Sequence, residues 1–309
     1  MAKRVLVTGG SGFVGANLAR RLLADGHEVH LLLRQRRELW RLEEVMGELQ
    51  VHEGDLVDAA SVGRVLEASR PDWIFHLAAQ GAYPTQTETL PIVQTNLVGT
   101  ANLLEAAAAV GFEAFVNSGT SSEYGYKDHA PTEDEWLEPN STYAVAKAAA
   151  TMYCRQRARR TGLPVTTLRL YSVYGPFEEP SRLIPRLIAE GLQGRLPPLV
   201  NPTIARDYVH VEDACEAYLK AAAAGTEPGA VYNIGTGVQT TLAEIVDLAR
   251  RLLAVVAEPA WGTMPDRSWD TDVWVANSTR VRAELGWAPK LDLEQGLART
   301  IAWYRGGGR

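Results

Sequence analysis

Apolar and polar residues alternate in two rhythms along the first half of the chain. Short runs rich in β-branched residues predict strands, and longer amphipathic stretches between them predict helices. The predicted strands span residues 3–8, 28–33, 72–77, 112–117 and 164–170, with a weaker one near 49–52, and the predicted helices span residues 13–25, 57–69, 89–110 and 141–161. Strands that are apolar throughout and alternate with helices indicate a parallel sheet covered on both faces. We therefore expect an α/β fold built on a Rossmann-type, doubly wound parallel sheet.

The regular alternation of predicted strands and helices ends at about residue 175, and prolines separate shorter elements after that point. We expect residues 1–172 to form the first domain and residues 173–309 to form mainly a second, smaller α/β domain. A predicted helix at 210–223 and a strand at 231–234 would return to the first domain, so we expect returning segments near 207–235.

Composition narrows the class of protein. The 309 residues are 46% hydrophobic and 22% charged, which is typical of a soluble globular protein, and the net charge of −6 argues against nucleic-acid binding. No apolar run reaches the roughly 18 residues that a spanning helix needs, and the chain enters a predicted strand at once, leaving no room for a signal peptide. Cys154 and Cys215 have no metal-ligand or disulfide-framework spacing. We expect a cytoplasmic, metal-free protein without a membrane or nucleic-acid partner.

The first predicted strand runs into a glycine-rich turn, VLVTGGSGFVG at residues 5–15. Gly9 allows a tight turn, Gly12 lets the backbone approach a pyrophosphate, and Gly15 lets the following helix pack close to the strand. The free N–H groups at the start of that helix then face the phosphates. Because the glycines lie between a strand and a helix, they predict a dinucleotide site.

The end of the second strand bears on the choice of dinucleotide. Leu33 stands where an acid would bind a ribose hydroxyl, and Arg34, Arg36 and Arg37 follow it. An arginine there can pair with a 2′-phosphate, although a solvated arginine loop has the same sequence. The pattern favours NADP(H), and NAD(H) remains possible. Further along, HEGDL (52–56) can place Asp55 beside the adenine, and the small residues of HLAAQ (76–80) allow close approach of a cofactor.

A second motif, STYAVAK (141–147), places Tyr143 and Lys147 on one face of a helix. A phenol has a pKa of about 10, and a nearby ammonium is expected to lower that pKa toward the working range. Such a tyrosine can take the proton of an alcohol while hydride leaves its carbon. Hydroxyls of the segment SGTSSEYG (118–125) are expected to hydrogen-bond the same oxygen.

Together these segments resemble the extended short-chain dehydrogenase/reductases, enzymes that epimerise, reduce or dehydrate nucleotide sugars. The resemblance runs in order along the whole chain and rests on TGGSGFVG, Arg34, GDL, HLAA, NLVGT (96–100), the Tyr143/Lys147 pair, RLYSVYGP (169–176) and RDYVHVED (206–213). It implies a nucleoside-diphosphate sugar as partner, a dinucleotide-binding first domain and a mainly substrate-binding second domain. It also implies a homodimer, formed through the long helices at 89–110 and 141–161.

The resemblance implies roles for individual residues. Thr120, Tyr143 and Lys147 match the catalytic trio, because Thr120 stands four residues before Tyr124-Gly125. The expected cofactor residues are Gly9, Gly12, Phe13, Val14, Gly15, Arg34, Asp55, Leu56, Leu77, Ala78, Ala79, Asn96, Tyr143, Lys147 and Tyr171. The expected substrate residues are Gln80, Ser121, Ser122, Ser172, Arg206 and Arg267, and the two arginines would bind the diphosphate. Ser172 departs from the asparagine that the family often has. A structural ion pair is the alternative role for both arginines.

The reaction stays open among several candidates. Family dehydratases carry a carboxylate directly after the Ser/Thr of the trio, where this chain has Ser121 and Ser122, and Glu123 comes one residue late. Elimination is therefore not expected unless Glu123 twists into place. An NADPH-dependent reductase of a 4-keto(-6-deoxy) sugar nucleotide is favoured by the arginines after strand two, and an epimerase with bound NAD(P) is the alternative. A non-catalytic NADP sensor would not need the Tyr143/Lys147 pair.

Overall fold

The structure is a computed structural model, and it describes residues 1–35, 38–83, 85–264 and 273–308. Seven parallel strands form a central sheet in the order β10-β6-β5-β4-β1-β2-β3. They are β1 (Arg4–Thr8), β2 (Glu28–Leu33), β3 (Gln50–Glu53), β4 (Trp73–His76), β5 (Ala114–Thr120), β6 (Val165–Leu170) and β10 (Ala230–Ile234). The predicted Rossmann-type sheet is confirmed. Its strand order reverses between β1 and β4, and ligands of such sheets bind at the carboxyl ends of the strands at this reversal.

Helices cover both faces of the sheet, as continuous apolar strands require. The helices packed around it are α1 (Phe13–Ala24), α2 (Ala59–Ser69), α3 (Thr89–Val93), α4 (Gly99–Val110), α5 (Thr142–Thr161) and α7 (Val211–Ala223). One buried cluster joins α1 and α7 to the sheet, and a second joins α2, α4 and α5 to the other face. The long helix α5 begins where the Ser141 hydroxyl accepts from the Ala144 amide, and it ends at Gly162 in the left-handed conformation.

The single helix predicted over residues 89–110 is wrong in one respect. A π-helical turn, Gln94–Val98, separates α3 from α4. The extra residue in this turn coincides with two tight contacts: the Thr100 hydroxyl donates to the Asn96 carbonyl at 2.6 Å, and a Cβ on Gly99 would lie 2.9 Å from that of Leu56. Such turns are frequent at functional sites, and the buried residue of this turn is Asn96.

The chain after the sixth strand adds smaller elements around a third apolar cluster. Two short pairs of strands are present: β7 (Ser172–Tyr174) pairs with β9 (Tyr208–His210), and β8 (Ala205–Arg206) pairs with β11 (Thr240–Thr241). The accompanying helices are α6 (Leu183–Gly191), α8 (Leu242–Leu253), α9 (Thr279–Leu285) and α10 (Leu293–Arg305). Across the described ranges, every helix is too short or too polar to cross a lipid bilayer.

Candidate active site

The glycine turn after β1 has the shape that a dinucleotide pyrophosphate needs. Gly9 has φ of +72°, and a Cβ there would lie 2.5 Å from the Ala78 amide nitrogen. A Cβ on Gly15 would lie 2.2 Å from the Gly9 carbonyl oxygen, so the first turn of α1 packs directly on the loop. Gly12 is the N-cap residue of α1, and a Cβ there would meet a single neighbouring atom, the Gly9 carbonyl oxygen at 3.2 Å. The turn is therefore closed toward the protein and accessible on its outer side, and it fits a dinucleotide.

Other predicted cofactor residues lie at the same edge of the sheet. Leu77 and Ala78 follow β4 and bond to Thr8 at the end of β1, and Asp55 and Leu56 follow β3. The Asp55 carboxylate caps the Val57 amide at 3.1 Å. Phe13 and Val14 begin α1, Ala79 is exposed, and Arg34 is exposed directly after β2. The fold thus brings these residues to the strand ends where the sequence placed them.

A buried hydrogen-bond chain ties the reversal point of the sheet to the π turn. Thr100 donates its hydroxyl proton to Asn96, so it accepts from Nε2 of His76 at 2.8 Å. Nδ1 of His76 then accepts from the Thr8 hydroxyl at 2.7 Å, and the Ala78 amide donates to that hydroxyl. Burial lowers the pKa of His76 to about 3, so the ring is neutral. This neutral chain fixes the loop after β4.

Asn96 is fully buried and completes that loop. Its side chain donates to the Gln80 carbonyl at 2.6 Å and accepts from the Gln80 amide at 3.1 Å. The structure therefore assigns Asn96 an indirect part in any cofactor contact, because both ends of its amide bind protein backbone. Gln80 itself is half-buried, and its side-chain oxygen accepts from Gln86 at 3.5 Å.

The segment 118–125 forms a wall, which we call the β5 wall, at the end of β5. Ser121–Tyr124 makes one 3₁₀ turn that is closed by a capping box. The Thr120 hydroxyl accepts from the Ser122 amide at 3.2 Å, and the Glu123 carboxylate accepts from the Thr120 amide at 2.9 Å. The same Thr120 side chain hydrogen-bonds the phenol of Tyr143. The capping box therefore fixes the hydroxyl that contacts Tyr143.

Glu123 does not reach the cleft. It is fully buried, and its Oε2 accepts from Nε of Arg169 at 2.9 Å, while Oε1 accepts from the Thr151 hydroxyl at 3.0 Å. Arg169 also donates to the Tyr124 hydroxyl at 2.8 Å and lies over the Tyr124 ring. Both carboxylate oxygens are thus occupied by structural partners. The possibility that Glu123 twists toward a substrate is not realised.

Tyr143 and Lys147, the predicted catalytic pair, lie on α5, and the electrostatics of Tyr143 differ from the sequence expectation. Burial and, after it, the nearby Glu123 charge raise the pKa of Tyr143 to about 12, against the opposing effects of the Thr120 hydrogen bond and the Arg182 charge. Lys147 is fully buried, and burial lowers the pKa of its own ammonium. The expectation that Lys147 lowers the tyrosine pKa below its ordinary value is therefore wrong for the chain alone, because burial and the Glu123 charge raise that pKa.

A cleft opens beside the β5 wall. It measures about 230 Å³ including the part open to solvent, and it is lined by Ser121, Tyr124, Gly125, Lys127, His129, Pro131, Tyr171 and Val273–Val275. Two predicted residues, Ser121 and Tyr171, thus share one cavity. Ser122 is half-buried in the adjacent turn, and Ser172 follows Tyr171 with its amide donating to the Asp207 carbonyl at 3.0 Å.

Arg206 borders the same cleft from β8. Its guanidinium lies 5.1 Å from the ring of Trp274, which lines the cleft, and Nη1 donates to the Ala205 carbonyl. The neighbouring Asp207 is buried and accepts from Thr236, Gly237 and Ala276, so it holds the Trp274 segment against β8. Arg267, Arg36 and Arg37 lie outside the described residues. Within the part of the chain that the structure describes, no group of three or more His, Cys, Asp and Glu side chains could hold a metal ion.

Sequence reasoning missed His76, Arg169 and Asp207. Each is a polar residue inside a motif that was read for other members: HLAA, RLYSVYGP and RDYVHVED. All three are buried and hydrogen-bonded within the structure. The sequence did contain a signal for them: each is a charged or imidazole side chain within or next to a buried strand. Such side chains are rarely buried unless they are paired, so their position indicates a buried partner.

Comparison with known proteins identifies the class. A family model described as the NAD dependent epimerase/dehydratase family matches residues 5–235. The chain belongs to this family, within the extended short-chain dehydrogenase/reductases, and it is an enzyme.

Three relatives show the range of activities nearby. A dTDP-glucose 4,6-dehydratase of Streptomyces griseus is 34% identical over 98% of this chain and 94% of its own. A UDP-glucose 4-epimerase of Thermotoga maritima, solved with UDP-glucose, is 31% identical with a TM-score of 0.89, covering 98% of this chain and 99% of its own. MoeE5, solved with UDP-glucuronic acid and NAD, is 32% identical with a TM-score of 0.86 over 98% and 99% of the two chains.

Proposed function

We propose that the protein is a nucleotide-sugar 4-epimerase. One observation carries the proposal: the β5 wall offers hydroxyls to the cleft, while its single carboxylate, Glu123, is buried against Arg169. Elimination of water from C6 needs an acid at the leaving oxygen, and the wall holds none there. Removal and return of hydride at a ring carbon needs only a proton acceptor and donor, and Tyr143 beside Thr120 supplies both.

The residues suggest how the proton moves. Thr120, fixed by its capping box, orients the phenol and shares a hydrogen bond with it. Tyr143 would take the proton from the sugar C4 hydroxyl as hydride leaves C4, and it would give the proton back to the C4 carbonyl oxygen as hydride returns to the opposite face of C4. Bound nicotinamide supplies the hydride acceptor and donor for this step. The buried ammonium of Lys147 favours the phenolate once the tyrosine ionises. The raised pKa of Tyr143 suits the second half of the cycle, where the phenol is the donor.

Two basic side chains line the cleft, each paired with neighbouring carboxylates, and we propose that an anionic C6 group of the sugar binds in competition with those carboxylates. Ser121 contributes a hydroxyl, and Lys127 and His129 are the basic side chains that line the cleft. Lys127 pairs at 2.9 Å with Glu138, an exposed partner that a ligand carboxylate can join. Hydrogen bonds to neighbouring carboxylates raise the pKa of His129, which favours its cationic form. MoeE5 is solved with UDP-glucose and also with UDP-glucuronic acid; because basic side chains line the cleft, we propose a UDP-hexuronic acid as substrate, with Ser122 and Ser172 as further sugar contacts.

The nucleotide end of the substrate would lie toward Arg206. A guanidinium binds phosphate oxygens in two parallel hydrogen bonds, and the Trp274 ring beside it orients the fork. The neighbouring Asp207 carboxylate accepts from the backbone amides of Gly237 and Ala276, and it thereby holds the Trp274 segment next to Arg206. We therefore propose that Arg206 binds the diphosphate.

A second candidate, an NADPH-dependent reductase of a 4-keto sugar nucleotide, is favoured by one observation. Leu33 ends β2 without an acid, and Arg34 follows it on the surface. Under this reading Arg34 binds the 2′-phosphate, and the enzyme exchanges its cofactor every turnover. Competition between NAD and NADP for wild type and Arg34→Ser tests the cofactor part: a preference for NADP that the variant loses supports it, and an unchanged preference contradicts it.

We also propose a homodimer. Exposed apolar side chains lie on α3, the π turn and α5, and α3 packs against α5. They are Leu90, Val98, Val145 and Met152. Light scattering on wild type and Met152→Lys checks this: the wild type should be dimeric and the variant shifted toward monomer. A monomeric wild type contradicts it.

The function is tested by incubating the purified protein with UDP-glucuronic acid, UDP-glucose and a 4-keto-6-deoxy sugar nucleotide. Proton NMR follows inversion at C4, and absorbance at 340 nm follows consumption of NADPH. Inversion of UDP-glucuronic acid without added cofactor supports the epimerase and its substrate. Inversion of UDP-glucose alone refutes the hexuronate, and NADPH consumption with the keto sugar favours the reductase.

A further inference from the structure

A short segment, residues 175–182, crosses between the glycine turn and the neighbourhood of Tyr143, and we call it the strap. It begins at Gly175, whose φ is +143° and where a Cβ would lie 2.7 Å from the Val211 side chain. Phe177 follows in the left-handed region at φ +67°, where a non-glycine residue stays only when its contacts hold it. The path of the strap is therefore set by contacts with the rest of the chain.

Arg41 makes the central contact at the glycine-turn end. It lies in the connection after β2, and it is only 5% exposed. Its Nε donates to the Phe177 carbonyl at 2.7 Å, Nη1 donates to the Ser11 carbonyl at 3.5 Å, and Nη2 pairs with Glu179 at 3.1 Å. One guanidinium thus joins the strap to the glycine turn itself. A lysine has a single nitrogen and cannot span these three acceptors.

Helix α1 holds the strap a second time. The Asn17 side chain donates both to the Phe13 carbonyl, in the first turn of α1, and to the Pro176 carbonyl of the strap. The guanidinium of Arg20 lies 4.4 Å from the centre of the Phe177 ring, and Trp303 packs on the same ring at 4.8 Å. The first turn of α1 is also where a pyrophosphate would bind.

The other end of the strap lies beside the catalytic tyrosine. Arg182 donates to the Ala82 carbonyl at 2.8 Å, and its guanidinium lies 5.2 Å from the Tyr83 ring. Its charge also acts on the Tyr143 phenol. A dinucleotide that binds at the glycine turn and reacts beside Tyr143 must run between the same two places.

We propose that the strap closes over the bound dinucleotide and that Arg41 is the residue that keeps it closed. This inference rests on the proposed epimerase, because only there must one dinucleotide return the hydride it received. A held cofactor leaves more slowly than the sugar turns over. A reductase would need the opposite behaviour, since its spent cofactor must leave in every cycle.

The test measures release of cofactor. Each protein is loaded with NADH, and in parallel with NADPH, then mixed with excess NAD while nicotinamide fluorescence is followed. The variants are Arg41→Lys, which keeps the charge, and Phe177→Gly, which removes the ring and suits the positive φ. Arg21→Lys is the matched control, since Arg21 lies on α1 but pairs with Asp25 and Glu216 away from the strap. Thermal melting of each protein is recorded beside the release rate.

We expect release to be about tenfold faster in Arg41→Lys and in Phe177→Gly, the effect of losing a charge-assisted hydrogen bond, and the control to stay within about twofold. Release within about twofold of wild type in both variants would overturn the proposal. If the Arg41→Lys protein melts at a much lower temperature than wild type, the release rate of Phe177→Gly alone tests the proposal. No sugar is present, so failure of the epimerase assay leaves this outcome readable. A wild type that inverts sugars yet releases cofactor faster than it turns over overturns the strap alone.

Discussion

The β5 wall and the strap each bury a glutamate, but in different ways. Glu123 in the wall has both oxygens hydrogen-bonded, to Arg169 and to neighbouring donors. Glu178 in the strap is nearly as buried, yet its Oε2 has no hydrogen-bond partner among the described residues. Burial raises the pKa of Glu178 to about 8. A buried acid with a complete set of partners builds a rigid wall, and one without them stays protonated at neutral pH.

The difference explains which side does chemistry. The wall fixes the Thr120 hydroxyl against Tyr143 and keeps its carboxylate out of the reaction. The strap acts on the Tyr143 phenol only through the charge of Arg182, and the role that we propose for it concerns the cofactor. Four substitutions can break or sharpen this contrast.

The largest effect is expected for Tyr143→Phe, which removes the proton donor and acceptor and leaves the ring. General acid–base groups contribute about 10²–10⁴ in rate, so kcat should fall by that factor while the KM for the sugar nucleotide changes little. Steady-state kinetics measures both. Tyr153→Phe, on the same helix with its hydroxyl on Glu105, should remain as active as wild type. Full activity of Tyr143→Phe would remove the proposed mechanism.

The second effect concerns Glu123, which should matter for stability. Removing one partner of a buried ion pair costs about 3–5 kcal/mol, so Glu123→Ala should lower the free energy of unfolding by that order in urea titrations. Glu123→Gln keeps an acceptor for the Thr120 amide and should lose less. A Gln variant as stable as wild type but inactive would show that Glu123 is a reaction acid after all.

The third prediction concerns Thr120, whose substitution is expected to lower both the free energy of unfolding and kcat. Thr120→Val keeps the shape but removes the hydroxyl that caps the Ser122 amide and contacts Tyr143. Loss of an N-cap costs about 1 kcal/mol, and we expect kcat to fall about tenfold as the phenol loses its partner. Thr120→Ser should restore both quantities. Equal rates for the Val and Ser variants would mean that the wall does not orient Tyr143.

The smallest effect belongs to the strap and depends on pH. Because the pKa of Glu178 is raised from 4.5 to about 8 in the folded chain, its protonated form favours folding at low pH, and that contribution is lost as pH rises through about 8. Glu178→Gln cannot ionise, so it should melt with wild type near pH 4 and about 2 °C or more above it at pH 9. Glu67→Gln, the control at an exposed glutamate, should show no such divergence. Parallel melting curves for Glu178→Gln and wild type would refute the raised pKa.

The sheet was predictable because its strands are apolar throughout and bounded by turn residues; Glu28–Leu33 matched to the residue. The strand predicted over 112–117 instead runs from Ala114 to Thr120. Ser118 was predicted to begin the loop after this strand, but inside the fold its hydroxyl bonds to that of Tyr218, just as the preceding Asn117 bonds to Thr167. Polar residues with distant partners therefore disguise the end of a buried strand.

The site divides in the same way. Tyr143 and Lys147 were predictable because helical spacing alone sets them on one face. The partner of Glu123 was not, because Arg169 stands 46 residues away on the next strand of the sheet. The strap contacts join residues more than a hundred positions apart, as Arg41 and Glu179 do. The spacing of residues along the chain predicts helices, strands and motifs, whereas the partners of buried charges are seen only in the folded structure.

The central claim is that one bound cofactor removes hydride from the sugar C4 and returns it to the other face. The most direct measurement uses UDP-glucuronic acid carrying deuterium at C4, incubated with the purified enzyme without added cofactor and followed by NMR. The account predicts a C4-inverted product that keeps its deuterium at C4. Two results would contradict the account. One is the formation of a 4-keto-6-deoxy sugar when UDP-glucose deuterated at C4 is the substrate, and the other is loss of the deuterium from C4 to cofactor that is released into solution.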